Sequence, residues 1–162
     1  MPELKELQTE MEASISKFVE DLNNPDPGGV CHMLAPEFVS CDYKARRVTV
    51  RFPVREWMRN PGGVMHGGAV ASALDTAMGC HTFFWAGNSM TPTINMLCNF
   101  MRPIKMGSML YVTTHITYVG RSMLYATAEA YADDLNEPLV TAQGVYHVPS
   151  KSHPRQYISF DD

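Results

Sequence analysis

The 162-residue chain is 45% hydrophobic and 19% charged with a formal net charge of -4, a globular balance at the size of one domain that excludes a disordered chain. The acidic surplus argues against a general nucleic-acid binder, which carries a basic one. Cys31, Cys41, Cys80 and Cys98 show neither C-x-x-C pairing nor zinc-site spacing with histidine, so no metal site is expected.

Taken in chain order, Pro2 to Asn23 reads as an amphipathic helix. Leu4, Leu7, Met11, Ile15, Phe18, Val19 and Leu22 recur at steps of three and four residues, one face of a 3.6-residue period. The run Asn23-Asn24-Pro25-Asp26-Pro27-Gly28-Gly29 ends it. Charge throughout the first residues is not that of an export signal, and no run of about 18 apolar residues marks a transmembrane helix. Unpaired thiols without an export signal fit a cytoplasmic protein.

From Glu37 the period drops to two. Phe38 to Tyr43 and Arg47 to Phe52 read as strands joined by a turn at Lys44-Ala45-Arg46. The glycine-rich passage Asn60-Pro61-Gly62-Gly63-Val64-Met65-His66-Gly67-Gly68 then opens into Ala69 to Trp85, small-sided and apolar enough for a helix buried on most of its circumference. Four more strand-like runs follow, roughly Thr91 to Met101, Ser108 to Val119, Ser122 to Ala132 and Pro138 to Val148. Breaks at Pro103, Met106-Gly107, Gly120-Arg121 and Asp134-Leu135-Asn136-Glu137 predict a meander of hairpins. The tail from Pro149 to Asp162 is polar and contains proline, and is expected to be loosely held. The organisation is an N-terminal helix and linker over 1–29, a main domain over 30–148 and a tail over 149–162. A sheet of this size must cover one face, and only the helix from Gly68 is apolar enough to lie on it. The outline is α+β, a long central helix enclosed by a curved antiparallel sheet of about six strands.

Chemistry concentrates in Asn60, His66, Gly67, Gly68, Asp75 and Thr93. Backbone N–H groups at a helix start are unpaired and carry partial positive charge, and glycines there let a ligand oxygen approach. Such amides can hold the oxyanion that forms as a carbonyl is attacked. The plainer alternative for His-Gly-Gly is a tight turn with close helix packing, since a short glycine motif is weak by itself. Asp75 sits mid-helix in the most apolar stretch, where an unpartnered carboxylate is costly. A structural Asp bonded to nearby hydroxyls or backbone competes with a catalytic one, and a carboxylate in an apolar cleft favours the second. The eight residues from Gly67 to Asp75 span about 12 Å of helix. An acid or base must reach within about 3 Å of a reacting atom, so one chain cannot easily bring both groups to one carbonyl. Two antiparallel central helices related by a two-fold axis can. Beside a helix start a protonated imidazole is disfavoured, which makes His66 an orienting group. Ser72 lacks the Gly-x-Ser-x-Gly setting of a hydrolase serine.

The run N-P-G-G-V-M-H-G-G-A-V-A-S-A-L-D from Asn60 to Asp75, then T-A-M-G, resembles the phenylacetate-degradation (PaaI-type) branch of hotdog-fold acyl-CoA thioesterases. The similarity continues through F-M-R-P-I-K-M-G at 100–107 and A-Q-G-V-Y-H-V at 142–148, covering roughly residues 36 to 148. It implies a hotdog fold, here with an extra N-terminal helix, and hydrolysis of an acyl-CoA to free acid and coenzyme A. Carried over by position, the Gly67 amide polarises the thioester carbonyl, with His66 and Asn60 shaping the pocket. Asn60 bonds near the leaving sulfur or holds the His66 loop, and Asp75 is the nucleophile or the base for water. Thr93 stands where relatives often have serine; it keeps the hydroxyl and adds a methyl.

Coenzyme A is part of the substrate, so no separate cofactor is expected. Its phosphates need cations, for which Arg102, Lys105 and Arg121 are candidates beside Gly68 in substrate binding. Met78, Met90, Met96 and Met101, with Phe83, Phe84 and Trp85, flank the site and offer an adaptable acyl surface, though ordinary core is the commoner use. The resemblance implies a homodimer that forms the active site and pairs again into a homotetramer, with no nucleic-acid or membrane partner. Two rivals remain. A non-catalytic acyl-CoA-binding module needs Gly67 and the cations but not Asp75. A hydratase or dehydratase needs a His paired with a carboxylate, and His81 lies on another side of the helix from Asp75.

Overall fold

A computed structural model describes residues 2–133 and 136–158. Helix α1 (Leu4–Leu22) and a short α2 (Val30–Leu34) precede strands β1 (Glu37–Asp42) and β2 (Arg47–Pro53). The long helix α3 (Gly67–Trp85) follows, then β3 (Thr93–Phe100), β4 (Met109–Val119), β5 (Met123–Tyr131) and β6 (Val140–His147). Neither α2 nor the 3-10 turn at Glu56–Met58 was expected, because pieces of three to five residues leave no periodic signature.

All six strands form one antiparallel sheet in the order β1-β2-β4-β5-β6-β3. This is the expected hotdog arrangement, with one correction. The last four strands are not a simple meander, since β3 pairs with β6 at the far edge and β4 pairs with β2. The link between β3 and β4 therefore crosses the end of the sheet. It is tied down on the way, with Met65 donating to the Ile104 carbonyl at 3.0 Å and Gly107 to that of Val54 at 3.0 Å. Asp134 and Leu135 of the expected β5–β6 turn, and residues 159–162 of the tail, lie outside the described residues.

Alternation along the strands builds the core. Val48, Val50 and Phe52 of β2, Leu110, Val112 and Ile116 of β4, Ala126, Ala128 and Ala130 of β5, and Tyr146 of β6 are buried. They face α3, whose Val70, Leu74, Ala77, Met78 and Phe84 are buried in turn. Each buried Val, Leu, Ile, Met or Phe side chain among them contributes about 2 kcal/mol relative to exposure, and each alanine methyl less than half as much. Helix α1 closes the arrangement by packing on β1 and α3, with Leu7, Met11, Ile15 and Val19 inward. Phe18 stacks on Phe83 of α3 with ring centroids 4.0 Å apart.

Residues 149–158 are pinned rather than loose. Arg155 donates its backbone N–H to the Trp85 carbonyl at 2.8 Å and its Nε to that of Phe84 at 2.9 Å. Its Nη1 meets Glu10 at 2.8 Å and its guanidinium lies over the Phe84 ring. Such contacts satisfy the carbonyls at the end of α3, a need that composition alone does not reveal.

His81 is wholly buried between α3 and the sheet. Trp85 Nε1 donates to its Nε2 at 3.1 Å, so its proton lies on Nδ1, 2.8 Å from the Thr114 hydroxyl. Burial first, then the neighbouring His115 and Arg46, push its pKa down to about 3. The unfolded chain takes up this proton below about pH 6.5, whereas the folded chain refuses it until about pH 3, so stability is full above the window and lost as pH falls through it. Well inside the window the loss is about 1.4 kcal/mol per pH unit from this group alone. His115, held below its ordinary value by partial burial and by Arg46 and Arg47, adds in the same direction. Urea unfolding followed from pH 7 to 4.5 should show this slope; a flat profile there contradicts it.

Candidate active site

The loop before α3 is held by its own backbone. Asn60 donates its N–H to the Val64 carbonyl at 2.8 Å and accepts the Val64 N–H on Oδ1 at 3.2 Å. His66 donates its N–H to the Met58 carbonyl at 2.7 Å. Its backbone is extended, with φ -64 and ψ 135, and its Nδ1 accepts the Gly68 N–H at 2.9 Å, making it the N-cap of α3. An accepting Nδ1 carries no proton, so protonation there would cost the cap.

With the Gly68 amide taken up by His66, the N–H groups of Gly67 and Ala69 are left over at the helix start. Among the described residues neither donates to a protein acceptor. Gly67 lines a surface cleft of about 360 Å³ with Asn60, Phe100, Arg102, Ile104 and Val140. A helix start with an unused amide beside a cleft can receive a carbonyl oxygen and stabilise it as charge develops.

Asp75 lies two turns along α3 and opens into a different cleft, of about 280 Å³. Its Oδ1 accepts the Thr93 hydroxyl at 2.8 Å and the Tyr146 hydroxyl at 2.9 Å. Neighbouring walls are Phe18 and Leu22 of α1, Phe83 of α3, and Met90. The carboxylate is half-buried in a largely apolar hollow whose described lining contains no Lys, Arg or His. Its charge is held by hydroxyl donors instead of a cation. The two clefts have no lining residue in common, so a single chain keeps the Gly67 amide and the Asp75 carboxylate in separate hollows.

The cations do not gather. Arg102 is exposed in the Gly67 cleft and ion-paired with Glu137, and Lys105 is exposed on the β3–β4 link. Arg121 sits in the β4–β5 turn and lines another hollow with Arg46 and Tyr157. Of the suggested acyl-contacting residues, Met90 and Phe83 line the Asp75 cleft and Met101 the Gly67 cleft, while Met96 is half-buried against the core. Met78, Phe84 and Trp85 are fully buried core. Ser72 bonds back to the Gly68 carbonyl at 2.9 Å. His81 points into the core and makes no contact with Asp75 among its hydrogen bonds.

Tyr146 went unnoticed in the sequence, as did Phe18 and Leu22 as cleft residues. One signal was available for Tyr146: an inward tyrosine on a strand needs a partner for its hydroxyl, and a carboxylate on the apolar helix needs a donor.

The model of the thioesterase superfamily matches residues 62–139, from the glycine loop through β5. A Pseudomonas aeruginosa protein provisionally described as an esterase is 26% identical over 119 residues, covering 72% of this chain and 86% of that one. A phenylacetic acid degradation-related protein of Ralstonia eutropha JMP134 superposes with a TM-score of 0.70 at 21% identity, over 83% of this chain and 99% of that chain. A Streptococcus mutans UA159 protein solved bound to acetyl CoA superposes with a TM-score of 0.60 at 18% identity, over 74% and 92% of the respective chains. At these identities the two superpositions carry the fold. No described helix is long and apolar enough to cross a membrane.

Proposed function

We propose that this chain, a hotdog-fold protein of the thioesterase superfamily, hydrolyses the thioester of an acyl-coenzyme A in a site shared by two copies of itself. The observation that carries the reading is the separation just described: an unused Gly67 amide in one cleft and a hydroxyl-held Asp75 carboxylate in another. An antiparallel neighbour brings each to face the other. The superfamily match supports hydrolysis, and the acetyl CoA held by the Streptococcus mutans protein supports a coenzyme A thioester as the ligand class.

In this reading the thioester oxygen points at the Gly67 N–H of one protomer. Water adds to the carbonyl carbon as one of its protons passes to Asp75 of the other, and the oxyanion is stabilised by the Gly67 amide. Collapse breaks the C–S bond, and the proton returns from Asp75 to the leaving thiolate. His66 and Asn60 hold the loop that aims the amide, Thr93 orients the carboxylate, and the acyl group occupies the hollow of Phe18, Leu22, Phe83 and Met90. Arg102, freed from Glu137, is the best-placed cation for a coenzyme A phosphate.

The edge strand supports a homodimer. Ile94, Leu97 and Phe100 of β3 and the adjoining Met101 are exposed at the open edge of the sheet, where unpaired backbone groups and apolar side chains invite a second chain. The test is direct: purified protein is given acetyl-, hexanoyl-, decanoyl-, benzoyl- and phenylacetyl-CoA, and free thiol is measured. Release from at least one, well above the spontaneous rate, is expected. Saturable binding of these thioesters without release would favour a non-catalytic binding module and sink the proposal.

A further inference from the structure

Both hydroxyl donors reach the same oxygen of Asp75. Thr93 of β3 and Tyr146 of β6 bond to Oδ1, while Oδ2 accepts no hydrogen bond among the described residues. We infer that Tyr146 is a positioning residue for the reaction: with Thr93 it locks Oδ1 and leaves Oδ2 as the single basic oxygen presented to water. The inference rests on the reading of Asp75 as the base.

Local packing fits this use. Tyr146 is buried to 1% exposure on the inward row of β6, so its hydroxyl has been carried deliberately to the end of an apolar path. Two residues earlier stands Gly144, where a Cβ would come within 2.8 Å of Tyr146 Cε2 and 3.4 Å of Met78 Cε. Glycine there lets the ring lie across its own strand towards α3. Burial first, then the Asp75 charge, raise the Tyr146 phenol far above its ordinary value, so it remains a donor wherever the protein is folded. The groups facing Asp75 from each packed element are few. Besides Tyr146 and Thr93, β3 brings Cys98, α2 brings Cys31, and α3 itself brings Cys80, while α1 presents only Phe18 and Leu22. Burial pushes the thiols of Cys80 and Cys98 upward, so both are neutral at working pH. Asp75 thus relies on two hydroxyls.

A donor to the ionised carboxylate favours that form, so its loss makes the base easier to protonate. With hexanoyl-CoA and phenylacetyl-CoA as probes, Tyr146→Phe should lower kcat about tenfold with KM within about twofold. It should also move the acid limb of the kcat profile about one pH unit upward. An acid limb that stays in place overturns the inference, since a purely structural tyrosine slows turnover without moving it. Should that variant fold poorly, 3-fluorotyrosine placed at position 146 keeps the ring's shape and strengthens the donor. The limb should then move to lower pH, and an unmoved limb again counts against the assignment. If the unaltered protein releases no thiol, the hydrolysis reading itself falls, and if Asp75→Asn matches its rate, the reading of Asp75 as the base falls; a silent Tyr146→Phe beside a dead Asp75→Asn removes only the role given to Tyr146.

Discussion

Gly67→Pro is expected to cost about 10² to 10³ in kcat, the usual loss on removing one oxyanion donor, while leaving the thermal midpoint unchanged or slightly raised. The substitution deletes one atom group that matters, the amide hydrogen, at a position where proline is otherwise welcome. Gly67 is the first residue of α3, and proline suits that place because its missing N–H has no helical partner to lose. The residue before a proline must be extended, and His66 already is, at φ -64 and ψ 135. Space is available too, since a Cβ at Gly67 meets only the Phe100 ring, at 3.7 Å. Gly67→Ala is the control: it adds the same Cβ, keeps the N–H and should stay within a few-fold of the unaltered rate. Equal losses in the two variants would mean that shape matters there and the amide does not.

How far the sequence carried the reading depends on how local each feature is. The stripe Leu7, Met11, Ile15, Val19 places one face of α1 because helical neighbours are three or four residues apart. The small-sided run after Gly67 marks the central helix for the same reason. Strand order was not readable, because every run alternates alike and the partner residues of β3 lie on β6, 40 to 53 residues on. A still longer separation hid Tyr146, which meets Asp75 across 71 residues and reads in sequence as one more core aromatic. Thr93 could be singled out from the family pattern, and the structure brings its hydroxyl to the Asp75 carboxylate. The cations could not be grouped beforehand, since Arg102, Lys105 and Arg121 sit on links and turns whose directions are set by tertiary contacts.

Asp75→Asn should abolish most hydrolysis, by about 10² to 10⁴, the range for a positioned acid or base. Its amide oxygen can still accept from Thr93 and Tyr146, so fold and ligand binding should survive. The stronger use of this variant is in mixtures. Homodimers of Asp75→Asn have two sites without a base, and homodimers of Gly67→Pro have two sites without the donor. Combine the two chains, and each mixed dimer joins an intact Gly67 from one subunit to an intact Asp75 from the other at one of its two sites. In a statistical mixture half the dimers are mixed, so activity should return from background to about a quarter of the unaltered level, as two-fold symmetry dictates. If each site lay within one chain, every site in every combination would carry a lesion and nothing would return. Co-expression with two different tags, followed by isolation of the mixed species, makes the comparison without unfolding either chain. Recovery tests the shared site directly, because neither parent has an intact site to contribute, and only pairing of a helix start with a neighbour's carboxylate can make one.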